Sequence, residues 1–144
     1  MNVEGILRAK GAGVVTIRPD ASVGELIEGL GRERIGAMVV SGDGRSVVGI
    51  VSERDVVRGL ASHGAAILQL PVREIMTANV VTCAPGDSVK QLMEQMTRRR
   101  IRHLPVVVDG ALAGIVSIGD VVKSRLEEVE TETNVLREAY IARQ

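Results

Sequence analysis

The apolar positions of this chain change period from segment to segment, and the changes come in two matching rounds. Val14, Val15 and Ile17 form a short β-branched run that ends at Pro19. Val23, Leu26, Ile27 and Leu30 then recur at i, i+3, i+4 and i+7, the stripe of a helix packed on a sheet. A four-residue apolar run, Ala37–Val40, predicts a strand, and Asp43-Gly44 predicts a turn into a second strand over Val47–Val51. Another helix opens at Ser52. The second round has a strand ending at Pro85, a helix stripe of Val89, Leu92, Met93 and Met96, and strands Leu104–Val108 and Leu112–Val116 around Asp109-Gly110. Its last helix opens at Ser117. Ser22 with Glu25, and Ser88 with Gln91, have the spacing of a capping box at the first helix of each round.

The two rounds are copies of one unit. "VVTIRPDASV" matches "VVTCAPGDSV", and "RIGAMVVSGDG" matches "RIRHLPVVVDG" at the same offset. "GIVSERDVV" (Gly49–Val57) matches "GIVSIGDVV" (Gly114–Val122) at an offset one residue shorter. The lost residue falls after Asp109-Gly110, in a turn, where a deletion costs least. Each unit is β-α-β-β-α and marginal alone, so two copies packed sheet to sheet are expected to share one core. The predicted fold is α+β: a first repeat over residues 1–66, a second over 67–126, and a C-terminal helical extension over 127–144. Leu68, Val72, Ile75 and Met76 are expected to pack the linker onto the second repeat. The thin apolar stripe of Leu126, Val129, Leu136 and Tyr140 offers a face to a partner subunit.

Composition narrows what the units can do. The 144 residues include no Phe or Trp and one Tyr, so the core is aliphatic, with Met38, Met76, Met93 and Met96 filling it. No aromatic platform exists for stacking successive bases. Lys plus Arg and Asp plus Glu are 18 each. A net charge of zero argues against nucleic acid or an anionic membrane as partner. The single Cys83 allows no internal disulfide, its neighbours are not basic, and it is expected to be a buried thiol. His63 and His103 come with no ligand cluster, so no metal is expected. No apolar stretch reaches a membrane span of about 18 residues, and the chain is expected to be cytoplasmic. Phosphate-loop, dinucleotide-fingerprint and activated-nucleophile patterns are missing, so no catalytic residue and no enzyme activity are expected.

The chemistry therefore rests on the repeated Ser-x-x-Asp. Ser52 with Asp55, and Ser117 with Asp120, read plainly as capping boxes. They read equally as the ends of two ligand sites. A helix N-terminus suits phosphate, and an Asp beside it can accept hydrogen bonds from ribose hydroxyls.

The ordered, repeated set resembles a tandem pair of cystathionine-β-synthase (CBS) domains, a Bateman module. It comprises "VREIMTANVVTCAPGDSV", "IRHLPVVVDG" and the double Gly-Ile-Val-Ser-x-x-Asp, across about Ile6 to Leu126. "ILRAKGAGVV" departs from it, having no counterpart of "IMTANVV". The resemblance implies a regulatory module that binds AMP, ADP, ATP or NAD(H), less readily S-adenosylmethionine, in clefts between the repeats. It also implies a homodimer and a regulated partner protein. The alternative is a ligand-free dimerisation scaffold. By resemblance, Asp55 and Asp120 bind ribose and Ser52 and Ser117 lie by the phosphates. Thr16 and Thr82 line the adenine pocket, and Ile35 and Ile101 wall it or simply join the core. The copies differ in their cations. Arg54 precedes Asp55 where Gly119, after Ile118, precedes Asp120; Arg102 and His103 stand where the first copy has Gly36 and Ala37. The two clefts are therefore expected to be inequivalent, with Arg54 clamping a short phosphate and Gly119 leaving room for a longer one. Arg98 and Arg99 are expected to be a solvated helix end.

Overall fold

The computed structural model describes residues 1–143. Its elements run α1 (Val3–Lys10), β1 (Thr16–Ile17), α2 (Val23–Glu33), β2 (Ala37–Val40), β3 (Gly49–Ser52), α3 (Glu53–His63), two 3-10 helices (Gly64–Gln69 and Val72–Glu74), α4 (Val89–Arg99), β4 (His103–Val108), β5 (Ala111–Ser117) and α5 (Ile118–Ala142). This is an α+β fold with one small sheet in each repeat, β1-β2-β3 and β4-β5.

The repeats fold alike because the same local signals act twice. The Ser22 hydroxyl accepts the N–H of Glu25 and opens α2, as Ser88 accepts that of Gln91 and opens α4. Both helices end on an arginine in the left-handed region, Arg34 (φ 55°) and Arg100 (φ 54°). The next N–H reaches back to the last turn, from Ile35 to Leu30 and from Ile101 to Met96, a double Schellman-type ending. Each turn aims the chain into the strand that follows.

Two differences between the repeats have identifiable causes. In the first, β1 pairs in parallel with β2. In the second, the strand expected before Pro85 shrinks to one parallel bridge, Cys83 with Val106, built from Cys83 N–H to Pro105 O and Val107 N–H to Cys83 O. The preceding rung would need an N–H from residue 105, and proline has none; Val39 holds that place in the first repeat. The hairpins differ too. Asp109 (φ 50°) and Gly110 (φ 79°) form a two-residue turn, the tight primed kind that suits strand twist. The first repeat spans Ser41 to Val48 instead, and its second strand begins at Gly49 rather than Val47. There the Asp43 carboxylate accepts N–H groups of Ser46 and Arg45, both at 2.8 Å, which hold its pKa down at about 2.

The core is two clusters, not the single shared one expected. One contains Val23, Leu26, Met38, Val40, Val51 and Val56, and the other Val89, Leu92, Met96, Leu104, Val106, Val116 and Val121. Each cluster is completed by a segment from outside its expected boundaries. Helix α1 puts Val3 and Ile6 into the second cluster, and Val3 N–H bonds Asp87 O at 2.9 Å. The linker packs on the first repeat, not the second: Ile67 and Val72 are fully buried there, with Ile75 and Met76 against them, while Leu68 is exposed. Thr77 then adds an antiparallel bridge to Ile50 at the edge of β3. Strand β2 joins the halves. Met38 and Val40 face its own cluster, Ala37 and Val39 point the opposite way, and all four are buried. The second repeat's hairpin covers that other face, with His103 against Gly36 and Leu112 N–H bonded to Arg45 O at 2.7 Å. The extension expected from residue 127 is continuous with α5, which shows no break at 126; Gln144 lies outside the described residues.

Candidate functional site

Between the repeats opens a cleft of about 490 Å³. One wall is the start of α3, with Ser52, Glu53, Arg54, Asp55 and Arg58, beside Gly36, Ala37 and Ile50. The other wall belongs to the second repeat: Thr77, Asn79, Val80 and Val81 of its entry segment, and Arg99 to His103 at the end of α4 and the start of β4. Arg102 and His103 therefore complete the cleft of the first repeat's Asp55. The expectation that each copy would use its own cation is corrected, because the pseudo-twofold packing faces the end of α4 toward the start of α3.

Asp55 is half-committed. Its Oδ2 accepts the N–H of Ser52 at 2.9 Å and the Ser52 hydroxyl at 3.2 Å, which fixes the carboxylate over the first turn of α3. Its Oδ1 makes no hydrogen bond among the described residues and remains available as an acceptor. The same cleft is lined by Arg54, Arg58, Arg99, Arg100 and Arg102. Among the described residues none of the five is in an ion pair; Arg54 donates to Arg100 O at 3.2 Å. Arg99, expected to be a solvated helix end, is part of this rim. His103 lies against Gly36, near Glu53. Burial lowers its pKa, with Lys10 and Arg102 adding to the fall and Glu53 and Asp120 opposing it.

The second aspartate is in different company. Asp120 Oδ2 accepts the N–H of Ser117 at 2.9 Å and the ammonium of Lys10 at 2.7 Å. Lys10 also donates to Ile115 O at 3.0 Å. Burial pushes the Asp120 carboxyl up, but Lys10 and the Ser117 N–H outweigh it and hold the pKa below the usual carboxylate range. The Ser117 hydroxyl accepts the N–H of Asp120 at 3.2 Å, an ordinary cap. Both Ser-x-x-Asp pairs thus cap their helices, whatever else they do.

Lys10 sits there by the symmetry of the repeats. Leu7 packs on Gly114 as Met76 packs on Gly49. Three residues further on, Lys10 meets the second site and Asn79 lines the first. The segment "ILRAKG" is thus a structural counterpart of "IMTANV", which its letters do not show.

Eight expected site residues line the cleft together: Gly36, Ala37, Ser52, Arg54, Asp55, Ile101, Arg102 and His103. The others do not. Thr16 pairs with Val39 in β1, and Ile35 packs on the first cluster. Thr82 precedes the buried Cys83, whose thiol is pushed up to about 12 by burial and then by Asp87. Ser117 and Asp120 form the second site with Lys10. Ile118 and Gly119 line a shallow groove along α5 with Val122 and Leu126. Glu53, Arg58, Thr77, Asn79, Val80, Val81 and Arg100 are additional lining that their local sequence did not single out.

No helix is long and apolar enough to cross a membrane among the described residues. The model of the CBS domain matches the chain twice, over residues 11–62 and 72–127. The crystal structure of the CBS-domain containing protein ATU1752 from Agrobacterium tumefaciens is 51% identical, with a TM-score of 0.84 over 87% of this chain and 99% of that one. The CBS domain pair of protein MJ0100, solved in complex with 5′-methylthioadenosine and S-adenosyl-L-methionine, is 28% identical, with a TM-score of 0.76 over 88% of this chain and 98% of that one. The CBS domain-containing protein CBSX3, mitochondrial, of Arabidopsis thaliana is 36% identical over 126 residues, 85% of this chain, which spans only 61% of that relative. Two matched repeats, the shared fold and a cleft built from both halves lead to one assignment: the chain belongs to the CBS domain family, as a tandem pair.

Proposed function

We propose that this CBS pair is a non-catalytic regulatory module that holds one phosphorylated adenosine, AMP, ADP, ATP or NAD(H), in the cleft between the repeats. The arginine rim carries the reading. Five arginines without ionic partners among the described residues line the same cleft as Asp55, whose carboxylate retains a free acceptor oxygen. That arrangement suits a ligand with phosphates at one end and vicinal hydroxyls in the middle. Guanidinium groups bind phosphate through paired, charge-assisted hydrogen bonds, and the N-terminus of α3 adds its dipole. Val80, Val81, Ile50 and Ile101 supply apolar walls for a base. The cleft volume is that of a small-molecule site, about 300–1,000 Å³.

The same rim disfavours a cation. S-adenosylmethionine, bound by the MJ0100 pair, carries a sulfonium, and five guanidinium groups repel it. Binding of a phosphorylated adenosine across both walls pulls the repeats together, and that closure is the signal passed on. Calorimetry and thermal shift with AMP, ADP, ATP, NAD, 5′-methylthioadenosine and S-adenosylmethionine test the reading. A phosphorylated member present at 100 times its Kd raises stability by about 2.7 kcal/mol. If no phosphorylated member shifts the transition, the chain is a scaffold rather than a sensor.

A further inference from the structure

Resting on the reading of the cleft as a phosphorylated-adenosine site, we infer that His103 takes up a proton when that ligand binds, so that the site responds to acidity and nucleotide together. His103 opens β4 and is half-buried on the cleft wall. Its ring leans over Gly36 of the first repeat. A Cβ added to Gly36 would lie 3.6 Å from His103 Cε1, 3.7 Å from its Nε2 and 3.6 Å from Glu53 Oε1. The imidazole and the Glu53 carboxylate thus flank one spot on the cleft wall. Among the described residues neither ring nitrogen is hydrogen-bonded to a protein group, which leaves both for a ligand. Of the side chains lining the cleft, only His103 ordinarily titrates between pH 5 and 8. The arginines stay charged throughout and carry no information about pH.

The charges around the ring set the direction of the effect. Glu53 at the start of α3, Lys10 at the end of α1, Asp120 in the first turn of α5 and the adjacent Arg102 all act on it. Lys10 and Asp120 are bonded to each other at 2.7 Å and largely cancel. Glu53 and Arg102 oppose each other in the same way, so burial decides and the imidazole is neutral at neutral pH. A ligand phosphate changes that balance. It brings negative charge to the wall that His103 shares with the arginines, and an opposite charge within about 4–6 Å favours the protonated form. The imidazolium then joins the guanidinium groups as a charge-assisted donor to phosphate. Because the bound state holds more protons than the free one, affinity rises as pH falls through the bound-state pKa and levels off below the free-state one. The first repeat has Ala37 at the matching place and no such group.

Histidine-ring NMR of the intact chain tests this, since the chain has two histidines and the exposed His63 serves as the internal control. The His103 ring is titrated with and without saturating AMP, and with NAD, whose diphosphate keeps its charge across this range. With ligand the midpoint should rise by about one pH unit or more, while His63 stays in place. Calorimetry supplies the second readout. Wild-type affinity for AMP should increase roughly tenfold more between pH 8 and 6 than that of His103→Gln, which carries the same ligand and the same arginines but no titrating ring. Circular dichroism of His103→Gln checks that its fold is intact. AMP or NAD that binds without moving the His103 midpoint, or the same pH dependence in wild type and His103→Gln, would overturn the inference and leave the reading of the cleft standing. Failure of every phosphorylated adenosine to bind the wild type would overturn that reading, and the inference with it.

Discussion

Asp55 and Asp120 occupy equivalent places and differ in what reaches them. Asp55 offers an unpaired oxygen to the cleft, whereas Asp120 is already held by Lys10. If Asp55 accepts ribose hydroxyls, Asp55→Ala should weaken nucleotide binding by about 1.5–3 kcal/mol, the range for a hydrogen bond to a charged group. Thermal denaturation separates this from loss of the cap alone, which lowers stability without changing affinity for the remaining fold. Lys10→Ala should free Asp120, and calorimetric stoichiometry should rise from one nucleotide per chain toward two. An unchanged stoichiometry, or weaker binding at the first site, contradicts the assignment of Lys10 as the group that occupies the second. His103 predicts a pH dependence. Its folded pKa lies below the ordinary value of about 6.5. Between those two values the unfolded chain binds a proton that the folded chain does not, so stability falls as pH drops through that window. His103→Gln should flatten the fall in urea titrations as pH drops below about 6.5. The Ser-Asp pairs were legible because their spacing is local. Lys10 was not, since it meets Asp120 across 110 positions of sequence, and only the folded symmetry brings it there.

At the level of elements, the entry segments decide how the repeats are finished. Each repeat seals the open edge of its β-β-α unit with a stretch that precedes the other repeat's strands: Met76 and Thr77 on Gly49 of β3, and Leu7 on Gly114 of β5. The contact on Gly49 is close enough that an added Cβ would meet Met76 Sδ at 2.5 Å and Thr77 O at 3.0 Å. Thr77 O belongs to backbone and cannot step aside cheaply. Gly49→Ala should therefore cost about 1–3 kcal/mol, the range for overpacking, measured by urea denaturation; a neutral effect would mean that the segment is not docked. Helix stripes, strand positions and caps were readable from period and spacing. The loss of the strand before Pro85 was not, although Pro105 carries the reason, because the missing rung lies on the partner strand. The linker was assigned to the wrong repeat for a similar reason. Val72, Ile75 and Met76 are apolar whichever core they enter, and periodicity does not say which side of a chain crossing they serve.

For the whole molecule, the exchange of segments ties the halves into one object with a cleft between them. A net charge of zero argues against nucleic acid as a class of partner, yet it hides a local excess. Five arginines gather at the cleft from α3, the end of α4 and the start of β4, while acidic residues concentrate along α5. Total charge cannot report that separation, and the run Arg98–Arg102 pointed to it only once the fold faced it toward Asp55. The most direct test of the central claim is isothermal calorimetry of the intact chain with AMP, repeated with Asp55→Ala and with S-adenosylmethionine. One AMP per chain, weakened at least tenfold by Asp55→Ala and not displaced by S-adenosylmethionine, is the predicted result. AMP binding that is absent, or that Asp55→Ala leaves unchanged, would contradict a ribose-binding cleft at the start of α3.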